Sequence, residues 1–181
     1  KLTTALLVAE KGSYWHDGSR NPYATVEVNG HKEHYPVNSS EFRDWLTVQS
    51  AETMGIVLVK ADLDNAIAQL ASRARVKGEE HAVSLRSALH NGILYIDLCN
   101  PSRQIVKDCA IRFYRPRTMR ALPIPKEGGD LSDLRPFLNV ETDDDFYLIA
   151  AFICSAIWPR GPYPILALNG EQGSSKSTVT K

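Results

Sequence analysis

The chain has 181 residues, enough for one substantial core or two small domains. Twenty-one Lys and Arg balance twenty-one Asp and Glu, and 43% of the residues are hydrophobic. Those are the values of a soluble globular protein: the balanced charge points neither toward nor away from nucleic acid, and the longest apolar run, 146–158, is too short for a membrane span of about 20 residues.

Residues 3–10 read as a short helix with Ala5, Leu6 and Ala9 on one side, ended by Gly12. Tyr14-Trp15-His16 is a short strand. The runs 23–28 and 31–37 then form a hairpin closed by Asn29-Gly30, a type I′ signal. A two-residue loop pairs Glu27 with Lys32 and Thr25 with His34 on one face. It pairs Val28 with His31, Val26 with Glu33 and Ala24 with Tyr35 on the other. Glu33 fits poorly in that second, more apolar face, which predicts partial cover there.

A helix follows over 38–48. Asn38 caps it, Glu41 stands at capping-box spacing, and Val37 and Phe42 flank the cap as a hydrophobic staple. Phe42, Trp45 and Leu46 make its inner stripe. The clearest helix is 62–75, where Leu63, Ala66, Ile67, Leu70, Ala71 and Ala74 recur on one face; Gly78 closes it. Strands are expected at 82–87, 93–98, 104–107 and 110–114, with Asn91-Gly92 as the turn between the first two. Residues 1–120 therefore read as an α+β accessory domain with a mixed or mainly antiparallel sheet and packed helices.

Residues 121–141 are a Pro- and Gly-rich connector in which Leu134, Phe137 and Leu138 are the expected packing anchors. Thr142 and Asp145 have capping-box spacing, and the acidic run 141–145 suits a helix N-terminus. The helix 143–158 is apolar nearly all round, which predicts burial. Pro159 and Gly161-Pro162 stop it.

Arg103, Lys107, Arg112, Arg115, Arg117 and Arg120 form the one basic concentration, with Phe113 and Tyr114 inside it. Such a segment can track phosphates and stack on bases; it equally describes a strand with a solvated face, followed by a loop. The histidines are scattered, and His31 and His34 fall on opposite faces of the hairpin, so no paired spacing supports zinc. Asp97 with Asp17 or Asp62 is a weak nuclease-like pairing. Cys99, Cys109 and Cys154 have no CxxC spacing, and an odd count fits reduced thiols in the cytoplasm.

The strongest motif lies at 169–178. An apolar run, 163–168, leads into Gly170-Glu171-Gln172-Gly173-Ser174-Ser175-Lys176-Ser177-Thr178. Strand, Gly-rich turn and Lys-Ser is the order of a phosphate-binding P-loop, with Ser175 where the usual pattern has Gly. Gly170 and Gly173 let backbone N–H groups turn inward. Lys176 would put charge on the β- and γ-phosphates, and Ser177 would offer its hydroxyl to Mg²⁺.

Taken with Tyr23-Ala24-Thr25-Val26, Asn29-Gly30-His31, Phe42-Arg43-x-Trp45-Leu46, Leu94-Tyr95-Ile96-Asp97-Leu98 and Leu134-Arg135-Pro136-Phe137-Leu138, this motif resembles the region entering the P-loop ATPase domain of phage and mobile-element ATP-binding proteins related to primase–helicases. The resemblance implies that 142–181 is a helix, strand and P-loop opening an NTPase domain. It also implies ATP and Mg²⁺ bound through Gly170, Gly173, Ser174, Ser175, Lys176, Ser177 and Thr178, and a role on DNA. The chain lacks an initiator Met, and only Thr178, Val179, Thr180 and Lys181 follow Ser177. It therefore reads as a piece of a longer protein: turnover is expected of the intact parent, and the piece itself is expected to hold no nucleotide. Its expected partners are DNA and the rest of the ATPase domain, or a second copy through the unpaired strand, with no membrane. The alternative is a nucleic-acid- or protein-binding module without catalysis.

Overall fold

The structure is a computed structural model that describes residues 2–103, 105 and 111–167. Its main core lies between a three-stranded sheet and three helices. The sheet has the order β1-β2-β3, with β1 at Ser13–His16, β2 at Pro22–Val28 and β3 at His31–Pro36, all antiparallel. The β2–β3 hairpin has the expected register, with Thr25 opposite His34 and Val26 opposite Glu33. Asn29 and Gly30 both have positive φ, 51° and 78°, which is what a type I′ turn demands and what Asn-Gly supplies at little cost.

Alternation along β2 sends Ala24 and Val26 toward the helices. There they meet α1 (Leu2–Ala9), α2 (Ser40–Met54) and α3 (Lys60–Lys77). Helix α1 contributes Ala5, Val8 and Ala9, small residues that let it lie close to α2 and α3. Helix α2 is capped by Ser39 and not by Asn38: Ser39 Oγ accepts from the Phe42 N–H at 3.2 Å. The staple pair Val37 and Phe42 is fully buried. The helix runs on to Gly55, whose φ of 63° and N–H bond to the Ala51 carbonyl end it in the left-handed manner that favours glycine. Helix α3 buries the stripe its spacing predicts, from Leu63 to Ala74.

A second, smaller set of strands packs beside β3. Strand β4 (Val83–Ser84) pairs in parallel with β7 (Arg112–Phe113), and β5 (Ser87–His90) pairs antiparallel with β6 (Ile93–Ile96) across Asn91-Gly92. The expected strand 82–87 is thus two strands in different sheets. Ala88, Tyr95 and Phe113 form its small core. The expected strand 104–107 lies largely outside the described residues.

Beyond residue 120 three expectations fail. The connector contains a 3₁₀ helix, Leu131–Phe137, capped by Asp130, but Phe137 is 76% exposed and Leu134 is exposed as well. They are not packing anchors. Helix α4 (Asp143–Ile157) starts on the Thr142 cap as expected, yet only Phe146 and Ile149 are buried along it. Residues 163–167 form no strand, and the P-loop motif at 169–178 lies outside the described residues. Among the described residues no helix is long and apolar enough to cross a membrane.

Candidate functional site

Three arginines of the basic segment converge on one cleft of about 290 Å³ between β3, the start of α2 and the loops on either side of β7. Arg103 reaches it from the loop after β6, and Arg115 and Arg117 from the stretch after Phe113. Strand β3 supplies Glu33 and, two residues on and so on the same face, Tyr35. The first turn of α2 supplies Glu41.

The floor is a buried ion-pair network. Asp97 is fully buried just after β6. Arg115, 7% exposed, donates from Nε to Asp97 Oδ2 at 2.6 Å and from Nη2 to Oδ1 at 3.0 Å. Two parallel N–H bonds to one carboxylate are the geometry only arginine offers. Oδ1 also accepts the Cys99 N–H at 3.0 Å. Burial works against the Arg115 charge. The hydrogen bonds to Asp97 and the charges of Asp97 and Glu33 outweigh it, and its pKa lies above the usual arginine value.

Glu33 is 2% exposed. Its Oε2 lies 3.6 Å from Arg115 Nη1, and its Oε1 lies 2.8 Å from Arg103 Nη2. No N–H is aligned on Oε1, however, so that oxygen has ion-pair contact without a hydrogen bond. Nearer the rim, Arg117 pairs with Asp44 and, at 3.9 Å, with Glu41. Burial raises the Glu41 pKa, but the backbone N–H groups of Glu41 and Arg117 and the Ser40 and Ser39 hydroxyls overcome this and leave it below the usual value. Cys99 and Arg103, both lining the cleft, hold left-handed φ angles of 51° and 54° without being glycine. Such residues carry local strain that surrounding structure must hold.

No family model, curated protein or solved structure matches this chain.

The other basic residues go elsewhere. Arg112 lies over the Trp15 ring at 5.1 Å, on the opposite side of the sheet from Glu33, where Trp15 also stacks on Tyr23 at 4.7 Å. Arg120 is marked by its carbonyl, which accepts from Arg86 Nη2 at 2.6 Å. Lys107 lies outside the described residues, as do Gly170, Gly173, Ser174, Ser175, Lys176, Ser177 and Thr178. Asp97 does not face Asp17: it is consumed by Arg115, while Asp17 accepts the Ser19 and Asn21 N–H groups in its own turn. The sequence marks Glu33 as a poor fit in its face and Asp97 as a candidate for a different pairing, but connects neither acid with the arginines. The signal was Glu33 itself, a carboxylate registered opposite Val26 in an apolar face. The structure completes that face with arginine where the sequence predicts only partial cover.

Proposed function

We propose that the chain is the accessory region and lead-in to the nucleotide-binding domain of an ATP-binding protein that acts in DNA replication or processing. One observation carries the reading: an apolar run, 163–168, passes straight into Gly170-Glu171-Gln172-Gly173-Ser174-Ser175-Lys176-Ser177. That spacing supplies the turn glycines, the phosphate-binding Lys176 and the Mg²⁺-binding Ser177 in the order a P-loop requires. The bound nucleotide and Mg²⁺ would supply the phosphoryl chemistry, and these side chains the charge and the metal ligand. In the protein that carries this chain, Lys176→Ala is expected to abolish ATP turnover while leaving the α+β region folded. Undiminished turnover in that variant overturns the reading. A second reading, nucleic-acid binding without catalysis, is favoured by the gathering of Arg103, Arg115 and Arg117 at one cleft. On that reading the parent protein turns over no ATP and the Lys176→Ala variant binds nucleic acid as the parent does.

A further inference from the structure

We propose that the cleft over Glu33 reads a single unstacked guanine base. The argument rests on the nucleic-acid side of the reading above and is independent of the P-loop. The pocket is the place where donors and an acceptor stand side by side. Arg103 offers a guanidinium fork, and Glu33 Oε1, buried and 2.8 Å from Arg103 Nη2, accepts no aligned hydrogen bond. A volume of about 290 Å³ is at the low end for small-ligand sites, which start near 300 Å³, and suits one base better than a whole nucleotide.

Glu33 and Glu41 share the space with the three arginines, so a purely anionic ligand would meet like charge as well as opposite charge there. A base edge that alternates acceptors and donors is the better match. Guanine places the N7 and O6 acceptors together, the pair an arginine fork favours. Its N1–H lies immediately beside O6, where it can donate to Glu33 Oε1. Thymine has no such adjacent acceptor pair. Tyr35, half-buried and on the Glu33 face of β3, supplies an aromatic wall against which an unstacked base can lie. Arg103 is one-third exposed and sits on a strained left-handed backbone, so its fork can turn from Glu33 onto the base while the carboxylate, held by the Arg115 side, stays in place.

The test is fluorescence anisotropy of the 181-residue chain with a labelled seven-nucleotide thymidine oligomer, and with the same oligomer carrying one central guanine. Guanine is expected to tighten binding about tenfold. Two base analogues probe each half of the edge without touching the protein: 7-deazaguanine removes the N7 acceptor, and O6-methylguanine removes the N1 proton. Each is expected to lose most of the tenfold gain. Arg103→Lys keeps the charge but not the fork; it is expected to retain the salt dependence of binding and lose the preference for guanine. Lys176→Ala must leave that preference unchanged, which separates this site from the P-loop. Absence of binding, equal affinity for guanine and thymine, or O6-methylguanine binding as tightly as guanine overturns the proposal.

Discussion

At the scale of single residues, the hairpin's two faces show opposite ways of burying polar groups. On one face Glu33 and Asp97 are buried against Arg115, which donates two aligned N–H bonds to Asp97 and lies 3.6 Å from Glu33. On the other face His34 stays neutral. The Trp15 indole N–H donates to Thr25 Oγ1 at 2.9 Å, and the same hydroxyl hydrogen-bonds His34 Nδ1 at 2.8 Å. Burial, with the positive charges of Arg112, Arg115 and Lys32, pushes the His34 pKa down to about 4. In the unfolded chain an imidazole titrates near 6.5. Between those values the unfolded chain binds a proton that the folded chain does not, so stability falls as pH drops from about 6.5 to about 4. Below that both states are protonated and the effect saturates, at a loss on the order of 3 kcal/mol. His34→Gln keeps a partner for Thr25 and is expected to flatten this part of the pH profile in urea denaturation. Parent and variant losing stability in parallel would mean that a different group titrates.

At the scale of elements, the joint between α3 and β1 leaves no room for a side chain at Gly78. Gly78 ends α3 with φ −72°, an ordinary value, so its need for glycine is one of space and not of backbone conformation. A Cβ there would lie 2.8 Å from Trp15 Cα and 2.9 Å from the Tyr14 carbonyl oxygen, and closer still to the Ala74 carbonyl. All three neighbours are backbone, which cannot swing aside as a side chain can. Gly78→Ala is therefore expected to cost about 2–3 kcal/mol, the upper part of the range for overpacking, measured by chemical denaturation. A cost within about 0.5 kcal/mol, the range of ordinary surface changes, would show that the joint opens freely. The sequence made this helix legible through its spacing, since six apolar residues at helical intervals admit one solution. It made the hairpin register legible through Asn29-Gly30, because loop length sets pairing. The short strands were less legible. A two-residue strand such as β4 has no period to detect, and its parallel partner β7 lies 29 positions along, by the pairing of Val83 with Arg112. The candidate site shared that difficulty: the basic segment was visible as composition, but the partners of its arginines come from β3, α2 and the end of β6.

At the scale of the whole molecule, hydrophobic composition and burial part company in α4. The periodicity places apolar residues all round this helix, and composition alone cannot say which of them find a neighbour. Phe146 and Ile149 do, whereas Tyr147 is exposed and Leu148 is 68% exposed. The helix is held at its first turn. Arg135 in the 3₁₀ helix places its guanidinium 5.2 Å from the Phe146 ring and pairs with Asp143 at 2.6 Å. Thr142 closes the same turn by accepting the Asp145 N–H. The main core, by contrast, is built from α1, α2, α3 and the β1–β3 sheet and includes no residue of α4. Stability is then expected to divide between the two regions, since a segment opens independently when few buried contacts tie it to the rest. Phe146→Ala removes the anchor. It is expected to speed hydrogen exchange of the α4 amides after residue 146 at least tenfold, while the amides of α3 exchange as in the parent. Leu148→Ser, two positions along but on the exposed face, is expected to change overall stability by less than about 0.5 kcal/mol. If Phe146→Ala instead weakened α3 protection to the same degree, α4 would belong to the cooperative unit of the main core, and the anchoring at its first turn would be only part of what holds it.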